Sequence, residues 1–215
     1  MKTKNALITG FALLGALLLY TLAVYEHLPD KLPIHWNIRG EIDGWANKST
    51  AVLLIPGSVL ALLGMMVILP AISPKQFSVA TFRCTFNYVL LVVVALMVYI
   101  HILILAAGLH PDLNMGRALP GGMFLFFALM GNMMGKVRRN FWMGVKTPWT
   151  LASDRVWDAT HRLAGRLMVA GGIAGFLLLF MGVSPVIFFV LVTATMLYPA
   201  VYSYFLYRRL EDEKP

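Results

Sequence analysis

Residues suited to chemistry gather in two polar stretches of an otherwise apolar chain. The first is Leu28-Pro29-Asp30-Lys31-Leu32-Pro33-Ile34-His35-Trp36-Asn37, followed closely by Arg39-Gly40 and Asp43-Gly44. Its two prolines disfavour helix and hold the backbone extended. The glycine pairs supply turn chemistry, so a short strand that folds back as a hairpin-like cap is expected. His35, Trp36, Asn37, Arg39, Glu41, Asp43 and Trp45 mix aromatic faces with hydrogen-bonding groups. That mixture suits peptide capture, in which strand edges give affinity and aromatic anchors give specificity. His35, Trp36, Asn37, Gly40 and Asp43 are therefore the candidate ligand-binding set. The plainer alternative puts Trp36 and Trp45 in an interfacial aromatic belt above turns that only close a connection.

The second stretch, Gly144-Val145-Lys146-Thr147-Pro148-Trp149-Thr150-Leu151, couples a glycine to an extended Thr-Pro turn with a tryptophan near a lysine. Ser153 is a plausible N-cap for the helix that follows, with Asp154 in its first turn. Val156, Leu163 and Leu167 line one side of that helix, with Trp157, His161 and Ala164 beside them. Arg155, Asp158, Arg162 and Arg166 form a polar stripe, with Asp158 and Arg162 spaced for an i,i+4 pair. An amphipathic helix lying against lipid headgroups before entering the bilayer is expected. Lys146, Thr147, Pro148, Trp149, Thr150, Trp157, His161 and Arg162 are the candidate partner-binding set; anchoring of the bundle is the alternative role.

Other chemistries lack their signatures. His27, His35 and His110 with Glu26, Glu41, Asp43 and Asp112 fall on one side of the membrane, but their spacings match no compact ligand motif, so no metal and no cofactor is expected. There is no H-E-x-x-H, G-x-S-x-G, C-x-x-C or phosphate-cradling glycine loop, and no intramembrane carboxylate pair for acid-base work. The chain is not read as an enzyme.

The elements that must position these stretches follow from composition. Of 215 residues, 59% are hydrophobic and 13% charged, with a single cysteine, Cys84. That excludes a soluble domain, a disulfide scaffold and a disordered tail. Six segments are long enough to span a bilayer and free of Asp, Glu, Lys and Arg: Ala6 to Tyr25, Ala51 to Ile72, Thr85 to Gly108, Ala118 to Gly135, Leu167 to Val183 and Pro185 to Tyr207. Pro56, Pro70 and Pro199 are candidate kinks, and Leu119-Pro120-Gly121-Gly122 reads as a poor start for the fourth. The expected fold class is an all-α integral membrane protein, a six-transmembrane-helix bundle with a short structured extracytoplasmic loop and an amphipathic cytoplasmic helix.

With the N-terminus inside, the cytoplasmic pieces hold Lys2, Lys4, Lys75, Arg83, Lys136, Arg138, Arg139, Lys146, Arg155, Arg162, Arg166, Arg208, Arg209 and Lys214, against Lys31, Arg39, Lys48 and Arg117 outside. Fourteen against four puts both termini in the cytoplasm of a bacterial cell, with the protein in the cytoplasmic membrane. The net charge of +8 is then a topological signal and not a mark of nucleic-acid binding. Residues 1–72 form a two-span unit with the extracytoplasmic loop 26–50, and 73–215 a four-span unit with the cytoplasmic loop 136–166. Gly131-x-x-x-Gly135 and Gly171-x-x-x-Gly175 allow close packing within the bundle or between protomers of a homo-oligomer. The spans offer only Asn87, His101, Asn132 and hydroxyls as polar groups, which weighs against an ion-coupled path. A small-molecule or ion transporter is the alternative function.

The chain resembles the SdpI-type membrane immunity proteins over nearly its whole length. Gly144 to Leu151, with Trp157, His161, Arg162 and Gly165 following, is similar to that family's G-[IVL]-[RK]-T-P-W-T-L … W … H-R … G signature. The segment Leu28-Pro29 … Pro33-Ile34-His35-Trp36-Asn37 … Gly40 … Asp43-Gly44 is similar to the N-terminal domain of uncharacterised function that commonly accompanies it. Lys146 stands where arginine is more usual, which keeps the charge and loses the bidentate fork. The resemblance implies a six-span receptor-like protein that binds a secreted hydrophobic peptide toxin outside and gives immunity to it. It also implies signal transduction through sequestration of a cytoplasmic transcriptional repressor, with membrane lipids as surroundings and no direct nucleic-acid contact.

Overall fold

An apolar chain in a bilayer must close its own backbone hydrogen bonds, and helix is the economical way to do so. The computed structural model describes residues 1–183 and 186–212. It holds the helices α1 (Thr3–Val24), α2 (Lys48–Ile72), α3 (Arg83–Leu109), α4 (Met115–Met134), α5 (Pro148–Ala152), α6 (Asp154–Phe180) and α7 (Val186–Asp212). Two strands, β1 (Lys31–Trp36) and β2 (Ile42–Asn47), form an antiparallel hairpin between α1 and α2. Pro185, the expected start of the sixth span, and Lys214 lie outside the described residues.

Among the described residues, five helices are long and apolar enough to cross a membrane: α1, α2, α3, α6 and α7. α4 is less apolar because Arg117, Pro120 and Asn132 fall inside it. It also starts earlier than the sequence suggests. The Asn114 side chain accepts from the Arg117 amide and caps the helix, so Pro120 lies in its second turn, not ahead of it.

The core is continuous from α1 to α6, with Ala6, Leu63, Phe86, Val94, Trp157 and Met168 in one cluster. α4 and α6 approach most closely at the glycines: a Cβ on Gly131 would lie 2.7 Å from the Gly165 carbonyl oxygen. Here a glycine row works within the bundle. Two of the three polar side chains singled out in the spans, His101 and Asn87, are turned inward, while Asn132 is exposed. His101 is fully buried, with Nε2 3.0 Å from the Thr21 hydroxyl on α1. Asn87 donates to the Met1 carbonyl and the Thr3 hydroxyl at 3.1 Å each.

The connectivity gives the bundle two unlike ends. One end carries the hairpin and the α3–α4 turn. The other carries the N-terminus, the α2–α3 connection, residues 135–153 and the end of α7.

Candidate functional site

At the hairpin end, β1 departs from strict alternation because two consecutive residues are covered. Leu32 is fully buried against the bundle and Pro33 is buried beside it, whereas Lys31 and His35 face out. The register runs Lys31↔Asn47, Leu32↔Ala46 and Pro33↔Trp45, then shifts at a bulge to His35↔Gly44 and Trp36↔Ile42. A bulge adds local twist. His35 Nδ1 lies 2.5 Å from an Asp43 carboxylate oxygen, both side chains well exposed.

Asn37 builds the turn. Its Oδ1 accepts from the amides of Arg39 (2.9 Å) and Glu41 (3.1 Å), and its Nδ2 donates to Glu41 Oε2 at 2.7 Å. Gly40 completes the turn at φ +81°, a conformation that favours glycine. A Cβ there would stand 2.8 Å from the Gly116 Cα, so a bare backbone is also what lets the turn rest on the start of α4.

Between this turn and the bundle lies a cleft of about 340 Å³. Four of the five candidate residues line it, His35, Trp36, Asn37 and Gly40; Asp43 does not, and reaches it only through His35. The opposite wall was not anticipated from sequence: Ile100 of α3 with Met115, Leu119, Pro120 and Met123 of α4. These are ordinary apolar residues of spans and carry no local mark of a site. Ile38, Ile42 and Trp45 stand exposed around the hairpin. The arrangement offers an apolar cleft rimmed by hydrogen-bonding groups, with the His35–Asp43 pair at its edge. Among the described residues no three of His, Cys, Asp and Glu converge as a metal site.

At the opposite end, residues 136–153 fold back over α6. Trp157 is fully buried, donates from Nε1 to the Val137 carbonyl at 2.7 Å, and stacks on His161 at 4.0 Å between ring centres. His161 Nε2 accepts from the Val145 amide at 3.0 Å while Nδ1 donates to the Trp157 carbonyl at 2.8 Å. An amide can only donate and a carbonyl only accept, so these two partners fix the neutral Nδ1-protonated ring. Gly144 passes over this ring at φ +113°, where a Cβ would clash with Nε2.

Thr147 and Thr150 form a capping box around Pro148 at the start of α5, and the Thr147 hydroxyl also meets Ser203 of α7 at 3.1 Å. Trp149 packs edge-on against Tyr204, 5.0 Å between centres. Asn140, which the sequence reading missed, is buried; its Oδ1 accepts from Trp142 and Met143, and its Nδ2 donates to the Arg138 and Met143 carbonyls. The signal was available, since an Asn at a non-helical bend commonly bonds the backbone two residues on.

Three expectations are corrected here. The amphipathic stretch runs without a break into the span as α6, as expected, but its Trp157 is covered by the protein's own loop and not left to the headgroups. Asp158 does not pair with Arg162 but with Arg138 at 3.3 Å, while Arg139 meets Asp154 at 2.7 Å. Thr150, Trp157 and His161 are fully covered in this structure and hold the loop together, because each has its polar group bonded inside it. Of the candidate partner-binding set, Lys146, Pro148 and Arg162 are exposed, and Thr147 and Trp149 are half-buried. Lys146 ties back to the Phe141 carbonyl at 2.9 Å.

Residues 136–203 match the SdpI/YfhL protein family, and residues 12–60 match a domain of unknown function, DUF1648. The second match takes in the whole hairpin, and the first takes in the loop and α6. The chain is 26% identical over 198 residues to Immunity protein SdpI of Bacillus subtilis (strain 168), covering 91% of this chain and 93% of that protein. No solved structure matches the chain. The hairpin with the adjoining parts of α1 and α2 matches one family, and the loop with α6 and most of α7 matches the other, so this membrane protein is similar to the SdpI type in two separate parts of its chain.

Proposed function

We propose that the protein is a bacterial membrane immunity protein, not an enzyme, that protects its cell by recognising a secreted hydrophobic peptide toxin at the hairpin. The observation that carries this reading is the apolar cleft of about 340 Å³ between the hairpin turn and α4, rimmed by His35, Trp36 and Asn37. Exposed apolar groups beside a rigid turn suit an apolar extended peptide. The end-to-end similarity to Immunity protein SdpI supports it independently.

In this reading six helices cross the cytoplasmic membrane, α4 being the sixth. Its 20 residues rise about 30 Å, enough for the hydrocarbon layer, and a chain that leaves α3 at the hairpin end must return before α6 begins. The basic residues collect at the other end, which supports both termini and residues 136–153 facing the cytoplasm. The turn after α2 divides a two-span unit, 1–72, from a four-span unit, 73–215. Any hold on a soluble repressor falls on Lys146, Pro148, Trp149 and Arg162, the accessible remainder of the loop.

The test is protection itself. Expression of the intact chain in cells sensitive to such a peptide is expected to raise survival over vector alone. Normal membrane insertion with no gain against any such peptide tried would overturn the immunity reading. The orientation is read separately, by labelling Asn47→Cys and Ala152→Cys in a Cys84→Ser background with an impermeant thiol reagent. Only the first is expected to react in whole cells, and the reverse pattern would invert the topology.

A further inference from the structure

A second cavity, of about 440 Å³, opens on the side of the bundle between α3, α4 and α6, on the face of α4 away from the hairpin cleft. Gly121, Leu125 and Leu129 of α4 run along it at every fourth position, Leu96 of α3 forms one wall, and Phe176 and Phe180 of α6 the other. Leu125, Leu129 and Phe180 are outward-facing at its rim, so it is a lateral groove and not a sealed void. Tyr99 donates to the Ala118 carbonyl at 2.6 Å and closes it toward the hairpin end. Arg117, the basic residue of its lining, sits at that same end, exposed and without an ion pair among the described residues.

Length and charge choose the occupant. From Arg117 to Leu129 α4 rises about 18 Å, close to the roughly 15 Å of one leaflet's hydrocarbon. Along that length the lining is apolar, and its one basic residue stands at the hairpin end, the order in which a single lipid presents acyl chain and headgroup. A guanidinium at headgroup depth complements an anionic phosphate. We propose that the groove is a binding site for an anionic phospholipid, with one acyl chain along α4 and the headgroup on Arg117.

The test uses the full chain purified in detergent and titrated, under native mass spectrometry, with equal amounts of phosphatidylglycerol and phosphatidylcholine of matched chains. Phosphatidylglycerol is expected to be retained about fivefold better, the ratio one basic group near an anionic surface supplies. Arg117→Gln is expected to equalise the two lipids, and Arg117→Lys to keep most of the preference. Ala95→Phe, which fills the groove from an exposed position on α3, is expected to lose both lipids with an unchanged unfolding midpoint. Leu129→Trp does the same from α4. Equal retention by the unsubstituted protein, a preference that survives Arg117→Gln, or full lipid retention in both filled variants would each overturn the proposal.

Discussion

The hairpin and the loop at the opposite end look alike in sequence: each sets tryptophan, histidine and an amide-bearing or hydroxyl residue around proline and glycine. Their structures use those residues in opposite ways. In the loop, Trp157, His161 and Thr150 are buried and bonded within the fold. In the hairpin, the side chain of Asn37 satisfies the backbone turn, which leaves His35, Ile42 and Trp45 exposed, while half-buried Trp36 both packs on the core and lines the cleft. A long motif is therefore not by itself a binding surface. Polar and aromatic residues specify a loop when they are covered, and become available for recognition when a different residue has already closed the backbone.

The contrast predicts unequal responses to substitution. Trp157→Ala removes a buried ring and orphans the Val137 carbonyl, and is expected to destabilise by about 3–5 kcal/mol, with low membrane abundance and a steep fall in the unfolding midpoint in detergent. An unchanged midpoint would place the loop outside the core and erase the contrast. Gly144→Ala forces a side chain onto His161 at a positive φ and is expected to destabilise by about 1–3 kcal/mol. Combined with His161→Ala the effects are expected to fall short of additive, because the second change removes the group the first one strikes. Full additivity would mean that the two do not share a contact. The smallest effect is Asn37→Ala, about 1 kcal/mol confined to the turn. It should appear as faster amide exchange at Arg39 and Glu41 with little change in global stability; a large global loss would make the hairpin a core element like the loop.

The parts legible in the sequence were those governed by local rules. Five of the six spans follow from apolar length, β1 from Pro29 and Pro33, the turn from Arg39-Gly40, and the start of α6 from the Ser153 cap, whose hydroxyl accepts from the Val156 amide. The parts that were not legible depend on residues far apart in the chain. An apolar stripe on α6 looks the same whether lipid, a partner or the chain's own loop covers it, and only the fold shows Val137 there. Asp158 has an i,i+4 neighbour in Arg162, yet Arg138 reaches it from a loop twenty residues away. The far wall of the hairpin cleft consists of apolar residues on α3 and α4 that were already accounted for by spanning the membrane.

The measurement closest to the central claim is protection by Trp36→Ala, scored against the amount of protein in the membrane. If the hairpin cleft is where a toxin peptide is recognised, protection falls far more steeply than abundance or unfolding midpoint, which drop only modestly because Trp36 is half-buried against the core. Protection that declines only in step with abundance would make Trp36 a packing residue like Trp157, and would contradict the account.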